Sequence, residues 1–191
     1  MSLTVITPPD IDAFIAHFLQ SAKSYTRLTV SSQDETFTRY LRTAYRQAER
    51  LTRRALSEQT LKLHLPYFCN EISLPRPPLL EVTDFEYIDV AGSLMSVDSS
   101  VYLVDDAKSP GRIVLAENQS WPTPSQRPNA VTITYRAGYE NLDNIPEDLI
   151  HGIFMLATYF YDNRGDVSTV SKSPLPFASS NIFRQHRVNI I

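Results

Sequence analysis

Apolar residues recur along the first third of the chain with the 3.6-residue period of helices, and from residue 59 the period drops to two. After Pro8-Pro9-Asp10, residues Ile11, Phe14, Ile15, Phe18 and Leu19 fall on one face. This predicts a helix over residues 8–20, since proline suits a first turn and Asp10 can cap it. Residues 24–31 carry no firm period and read as a connection. A longer second helix is expected where Ser32 and Glu35 stand at capping-box spacing. Phe37, Tyr40, Leu41, Ala44, Ala48, Leu51 and Ala55 give it an apolar stripe of about six turns, ~34 Å at the usual rise. Its other side is cationic: Arg39, Arg42, Arg46, Arg50, Arg53 and Arg54, with Glu49 as the one carboxylate beyond the first turn.

In the second regime Leu61, Leu63 and Leu65 alternate with Lys62 and His64, as in a half-buried strand. Pro75, Pro77 and Pro78 then mark a bend or an edge, because proline cannot donate to a ladder. Val82, Phe85, Tyr87, Ile88 and Val90 predict a further strand closed by a turn at Ala91-Gly92. "SVYLVDD", "GRIVLA" and "NAVTITYRAGY" predict three more, separated by Pro110-Gly111 and "WPTPSQRP". Helix returns with Asn144 as cap, Pro146 near the first position, Glu147 and Asp148 at the positive end, and a face of Ile150, Phe154, Ala157 and Tyr161. It is expected to end near residues 163–165. A polar stretch with Pro174 and Pro176 leads to "FASSNIFRQHRVNII", expected to be a tail, helical at best in part, with apolar anchors but no core of its own.

The order of these parts implies an α+β fold: a helical core of long amphipathic helices with an inserted small antiparallel β module. The expected divisions are 1–58 for the N-terminal helices, 59–139 for the module, 140–176 for the last core helix and its loop, and 177–191 for the tail. A chain of 191 residues can build such a core without staples. Its lone Cys69 forbids an internal disulfide and fits a reducing compartment. No signal peptide or membrane span is expected. The formal charge of −3 argues against general binding to duplex DNA.

Catalytic and cofactor chemistry finds little footing. Five glycines leave no room for a phosphate-cradling loop or a dinucleotide fingerprint. His17, His64, His151 and His186 lie far apart, without metal-ligand spacing. No serine has a nucleophile-elbow context, and Cys69 beside His64 reads better as a small buried thiol than as a nucleophile with its base. Asp105-Asp106 suits a solvated turn better than an acid–base pair. "NRGD" at 163–166 and "NQS" at 118 read as turn and chance sequon. No catalytic, cofactor or metal site is therefore assigned. The arginine face stands apart: either it is a solvated helix face, or its guanidiniums meet carboxylates of a neighbouring subunit or phosphates of DNA. An unbalanced stripe repels itself in a monomer, which favours a partner.

Several fragments share an order with one known group: "AYRQAERLTRRALSEQTLKLHL", "ISLPRPPLLEVTDFEYIDVAG", "YLVDD", "GRIVLA", "WP", "VTITYRAGY", "IPEDLIHGIFMLATYFYDNRG" and "LP", spanning residues 44–176. In that order the chain resembles the head-to-tail connector (adaptor) proteins of long-tailed bacteriophages, in the group whose helical core carries a β insertion. The resemblance implies a non-enzymatic virion protein at the head–tail junction, found in the host cytoplasm before assembly. It would form a ring, usually twelvefold, below the portal protein and meet the tail or a stopper protein. DNA would pass through its lumen without sequence-specific binding. On this reading Arg39, Arg42, Arg46, Arg50 and Arg53 are candidate subunit contacts. In the tail, Ile182, Phe183, Arg184, Arg187 and Val188 are candidates for docking to the portal. The alternative is a DNA-binding packaging factor that uses the arginine face.

Overall fold

The structure, a computed structural model, describes residues 1–163 and 177–189. Strand β1 (Ser2–Thr7) leads into helices α1 (Ile11–Thr26) and α2 (Asp34–Thr52). Seven strands follow: β2 (Gln59–Leu65), β3 (Glu71–Ser73), β4 (Leu79–Ile88), β5 (Leu94–Ser96), β6 (Tyr102–Asp105), β7 (Arg112–Leu115) and β8 (Val131–Ala137). Helices α3 (Glu147–Asp162) and α4 (Phe177–Gln185) close the order. The α+β class expected from the periodicity is what the chain adopts.

Asp10 caps α1 as expected, its Oδ1 accepting from the Ala13 N–H at 2.9 Å. The helix runs through Thr26, so residues 24–26, expected in a connection, belong to it. The capping box expected at Ser32 is not formed. Residues Ser31–Gln33 wind into a 3-10 turn, which moves the N-cap to Gln33 and leaves Glu35 to pair with Arg39. The helix stops three residues short of Ala55, at Thr52, and the left-handed backbone of Arg53 (φ 59°) closes its last turn. In α3 the cap is Pro146, and Asn144, expected there, instead lies in the preceding 3-10 turn.

All strand pairs are antiparallel. One sheet has the order β1-β2-β8-β4-β5 and the other β3-β7-β6. Central strands β2 and β8 alternate perfectly between buried and half-buried positions, the two-residue period written in Leu61, Leu63, Leu65 and in Val131, Ile133, Tyr135. The N-terminal strand β1 was not expected: five of its six residues are exposed, and it joins the sheet only by pairing with β2, Ser2 opposite His64. After β8 the chain must turn sharply. Gly138 has φ 114°, and a Cβ there would lie 2.2 Å from the Ser57 carbonyl oxygen, so only glycine fits.

Two apolar cores result. Phe14, Phe37, Leu41, Tyr45, Leu149, Ile153, Leu156 and Phe183 fill the helical one. Leu61, Leu63, Ile72, Phe85, Ile113, Ile133 and Tyr135 fill the β one, with Phe68 stacked on Trp121 at its border. Ala55, expected on the stripe of the second helix, belongs to the β core.

Candidate interaction surface

The inner face of α2 is fully used: Phe37, Leu41, Ala44, Tyr45 and Ala48 are wholly buried. Its arginines divide into three sets. Arg39 pairs with Glu35 one turn away, and Arg42 with Asp12 of α1. Arg54, just past the helix, turns to the C-terminal segment and donates from Nε to the His186 carbonyl at 2.8 Å. Arg46, Arg50 and Arg53 are exposed and form no ion pair among the described residues.

These last three line an open groove. Its two adjoining clefts measure about 510 and 450 Å³ and share Arg46, Glu49 and Arg76. Leu3 and Val5 of β1 border the groove on one side, α2 on the other, and the bend at Pro75-Arg76 closes it. Arg76 stands on left-handed backbone (φ 60°) and also has no ion pair among the described residues. It lies near enough to Glu49 to draw that carboxyl's titration downward, although burial, the larger influence, holds it above the ordinary glutamate value.

Glu49 is held for a structural task. One oxygen, Oε1, accepts the Leu56 N–H at 2.9 Å, the Gln59 amide at 3.3 Å and the Tyr45 hydroxyl at 3.3 Å. It thereby ties the end of α2 to the start of β2. Burial, reinforced by the charge of Glu49, drives the Tyr45 phenol far above its usual range, so it remains a neutral donor. Gln59 is 1% exposed, and its Oε1 has no partner among the described residues. The groove thus offers a wall of β1 and five guanidiniums, of which Arg42 is paired with Asp12, while its other carboxylates are committed within the chain, Asp10 to the cap of α1 and Glu49 to the start of β2.

The C-terminal segment departs from expectation. Phe183 and Val188, read as free anchors of a tail, are buried at 1% and 4% exposure. Gly152 of α3 makes this possible: a Cβ there would stand 3.0 Å from the Phe183 ring. The Val188 N–H donates to the Thr52 carbonyl at 2.9 Å, and His186 pairs with Asp148. Burial would raise the Asp148 titration, but the His186 hydrogen bond and charge, with the Leu149 N–H, hold it below the usual aspartate range. Ile182 is half-buried, while Arg184 and Arg187 are exposed and border a small cleft with Leu51 and Ser180. Pro174, Pro176, Ile190, Ile191 and most of the "NRGD" stretch fall outside the described residues.

The acidic turn expected near Asp105-Asp106 is built around Arg112, which donates from Nε to Asp105 at 2.8 Å and from Nη1 to Glu71 at 2.9 Å. These hydrogen bonds hold both carboxyls below their usual values. The His64 ring instead faces Thr4, with Nε2 3.3 Å from its hydroxyl. Among the described residues no group of His, Cys, Asp or Glu is placed to hold a metal ion, and no helix is long and apolar enough to cross a membrane.

Comparison with solved structures gives whole-length matches. A chain in the neck of an empty gene transfer agent particle, computed with C6 symmetry, superposes with a TM-score of 0.77 at 24% identity, covering 100% of this chain and 98% of that one. The fold is shared. A chain from the virion of the native gene transfer agent particle gives 0.77 at 23% identity, and one from the native neck with C12 symmetry gives 0.74 at 24%, with the same coverages. No protein-family model and no curated protein matches the chain.

Proposed function

We propose that the chain is a structural head-to-tail connector: a non-enzymatic subunit that forms a ring below a portal protein and joins a DNA-filled head to a tail or stopper. One observation carries this reading. The fold is shared from end to end with chains from particle necks solved with six- and twelvefold symmetry. A ring closed by head-to-tail contacts needs two different complementary surfaces on each subunit. The groove of Arg46, Arg50 and Arg53 supports a role as one of them. Arg39 and Arg42, being paired within the chain, contribute at its margin. Portal docking is assigned to the C-terminal segment through the exposed Arg184 and Arg187, with Ile182, Phe183 and Val188 fixing that segment to the core. Native mass measurement, alone and with the cognate portal, tests the reading. Ring-sized species support it, and a protein that stays monomeric and does not bind portal overturns it.

A second reading has the unpaired guanidiniums in its favour: a packaging factor that grips DNA phosphates with the same groove. It predicts duplex affinity that falls steeply with salt, by about 0.9 logarithmic units per logarithmic unit of salt for each phosphate neutralised.

A further inference from the structure

The two sheets end in edges that the fold leaves open. Strand β1 pairs only with β2, and β6 only with β7, so each presents one row of backbone donors and acceptors without a partner among the described residues. Such edges are normally blunted by charge, proline or cover, because they template pairing with another chain. Strand β1 has one irregularity, between Val5 and Thr7, and β6 is only four residues long, but neither contains a proline and charge is nearly absent from both. Ser2–Thr7 contains no charged residue, and β6 has only Asp105 at its end. Both display apolar side chains to solvent: Val5 at 42% and Ile6 at 54% on one, Leu103 at 57% and Val104 at 42% on the other.

Their surroundings carry opposite charge. Beside β1 lies the groove of Arg46, Arg50, Arg53 and Arg76, with Arg50 and Arg53 in the cleft at its Leu3 end. Strand β6 runs into Asp105-Asp106, and Asp106 forms no ion pair among the described residues. The groove holds five arginines against Asp10, Asp12 and Glu49, a balance of +2 in a chain of formal charge −3, so the remainder of each copy carries −5. Outside its own groove a second copy is therefore net negative.

We propose that copies of this chain join head to tail by strand pairing, with the outer edge of β6 on one copy added antiparallel to the outer edge of β1 on the next. Antiparallel addition sets the acidic end of β6 against the Leu3 end of β1, where Arg50 and Arg53 stand; parallel addition would set it against Pro8 and Pro9. The exposed pairs Val5/Ile6 and Leu103/Val104 are then covered together, and backbone hydrogen bonds supply affinity while charge fixes direction. The two edges differ, so the contact is heterologous and can repeat from copy to copy, as a ring requires. This inference rests on the ring reading above and specifies its contact.

Cysteine trapping tests it in the full chain with Cys69→Ser. Val5→Cys protein mixed with Val104→Cys or Leu103→Cys protein should form disulfide-linked heterodimers under mild oxidation, while each alone stays monomeric on a non-reducing gel. A chain carrying both substitutions should give a ladder. Adding Arg46→Glu and Arg50→Glu should cut the yield at least about tenfold, and Asp106→Arg on the other partner should restore part of it. Homodimers of Val5→Cys alone would show β1 meeting β1 and overturn the proposal, as would preferential trapping to Leu94→Cys on the β5 edge. Rings that form without β1–β6 trapping overturn this contact and leave the connector reading standing; neither rings nor trapping overturns both. Undiminished trapping in the Arg46→Glu, Arg50→Glu chain with lost DNA retention would assign the arginines to nucleic acid and overturn their part.

Discussion

Along α2, arginines of one chemical type meet two fates. In the first half of the helix, Arg39 and Arg42 find carboxylates within the chain, Glu35 one turn back and Asp12 across the α1 interface. In the second half, Arg46, Arg50 and Arg53 find none, and the fold adds Arg76 to them from a bend more than twenty residues on. The opposite face shows no such division: it is buried along its length. Charge is thus neutralised where α2 packs on α1 and left in excess where it overhangs the free edge of the sheet. Guanidiniums gathered around an open cleft repel one another, and Arg46, Arg50, Arg53 and Arg76 have no ion pair among the described residues to relieve that repulsion.

The largest effect separates the buried side of this contrast from the open one. Phe183→Ala should leave a cavity between α3 and α4 and cost about 3–5 kcal/mol, since the ring is fully buried against Gly152. Chemical denaturation would measure it. A cost below about 1 kcal/mol would mean that the C-terminal segment does not pack as described. The next effect lies on the open side. Arg46→Glu with Arg50→Glu should leave unfolding within about 1 kcal/mol of the parent, because neither guanidinium has an ion pair to lose and only the favourable place of Arg50 in the last turn of α2 is reversed. Assembly should fall at least about tenfold by native mass or sedimentation. Loss of stability in place of assembly would make these arginines part of the monomer's architecture. A third, smaller change sharpens the division within the helix. Arg42→Ala removes a partly exposed pair with Asp12 and should cost ~0.2–1 kcal/mol. Its effect on assembly should be well below that of the Arg46 and Arg50 reversal.

How much of this could be read from the chain follows from the range of the interactions. Helix α2 and strands β2 and β8 were legible because burial imposes a local period, of 3.6 or 2 residues, that the sequence repeats over several turns or pairs. Strand β1 was not, because an edge strand exposed on both faces has no alternation to display, and its existence depends on β2, more than fifty residues away. The arginine stripe was visible, but its division was not. Asp12 meets Arg42 only after two helices pack, and Arg76 reaches the groove only through the bend that follows β3. The same limit explains the C-terminal segment. The apolar residues were evident, yet their burial depends on Gly152, a small residue in α3 that carries no signal of its own for a distant phenyl ring. Local periods announce elements; which surfaces remain open is decided by contacts far apart in sequence.

The finest test concerns Glu49, the carboxylate between the two fates. It faces the arginine groove, yet its Oε1 is spent on Leu56, Gln59 and Tyr45, and burial raises its titration above the ordinary value of 4.5. The folded chain therefore holds this proton more tightly than the unfolded chain does. Its contribution to stability is fully present below pH 4.5 and is lost as pH rises through the raised folded value. Glu49→Gln keeps an oxygen for the Leu56 N–H and removes the titration. Relative to the parent, the variant should thus gain stability as pH climbs from about 4.5, within the ~1 kcal/mol of a typical point change, and the gain should level off at higher pH. The Asp148–His186 pair is common to both proteins, so it cancels from the difference. A difference that stays flat with pH would mean that Glu49 titrates as an ordinary exposed carboxylate. It would then be free to serve as a counterion for Arg46 and Arg76, and the excess charge of the groove would be smaller than its geometry implies.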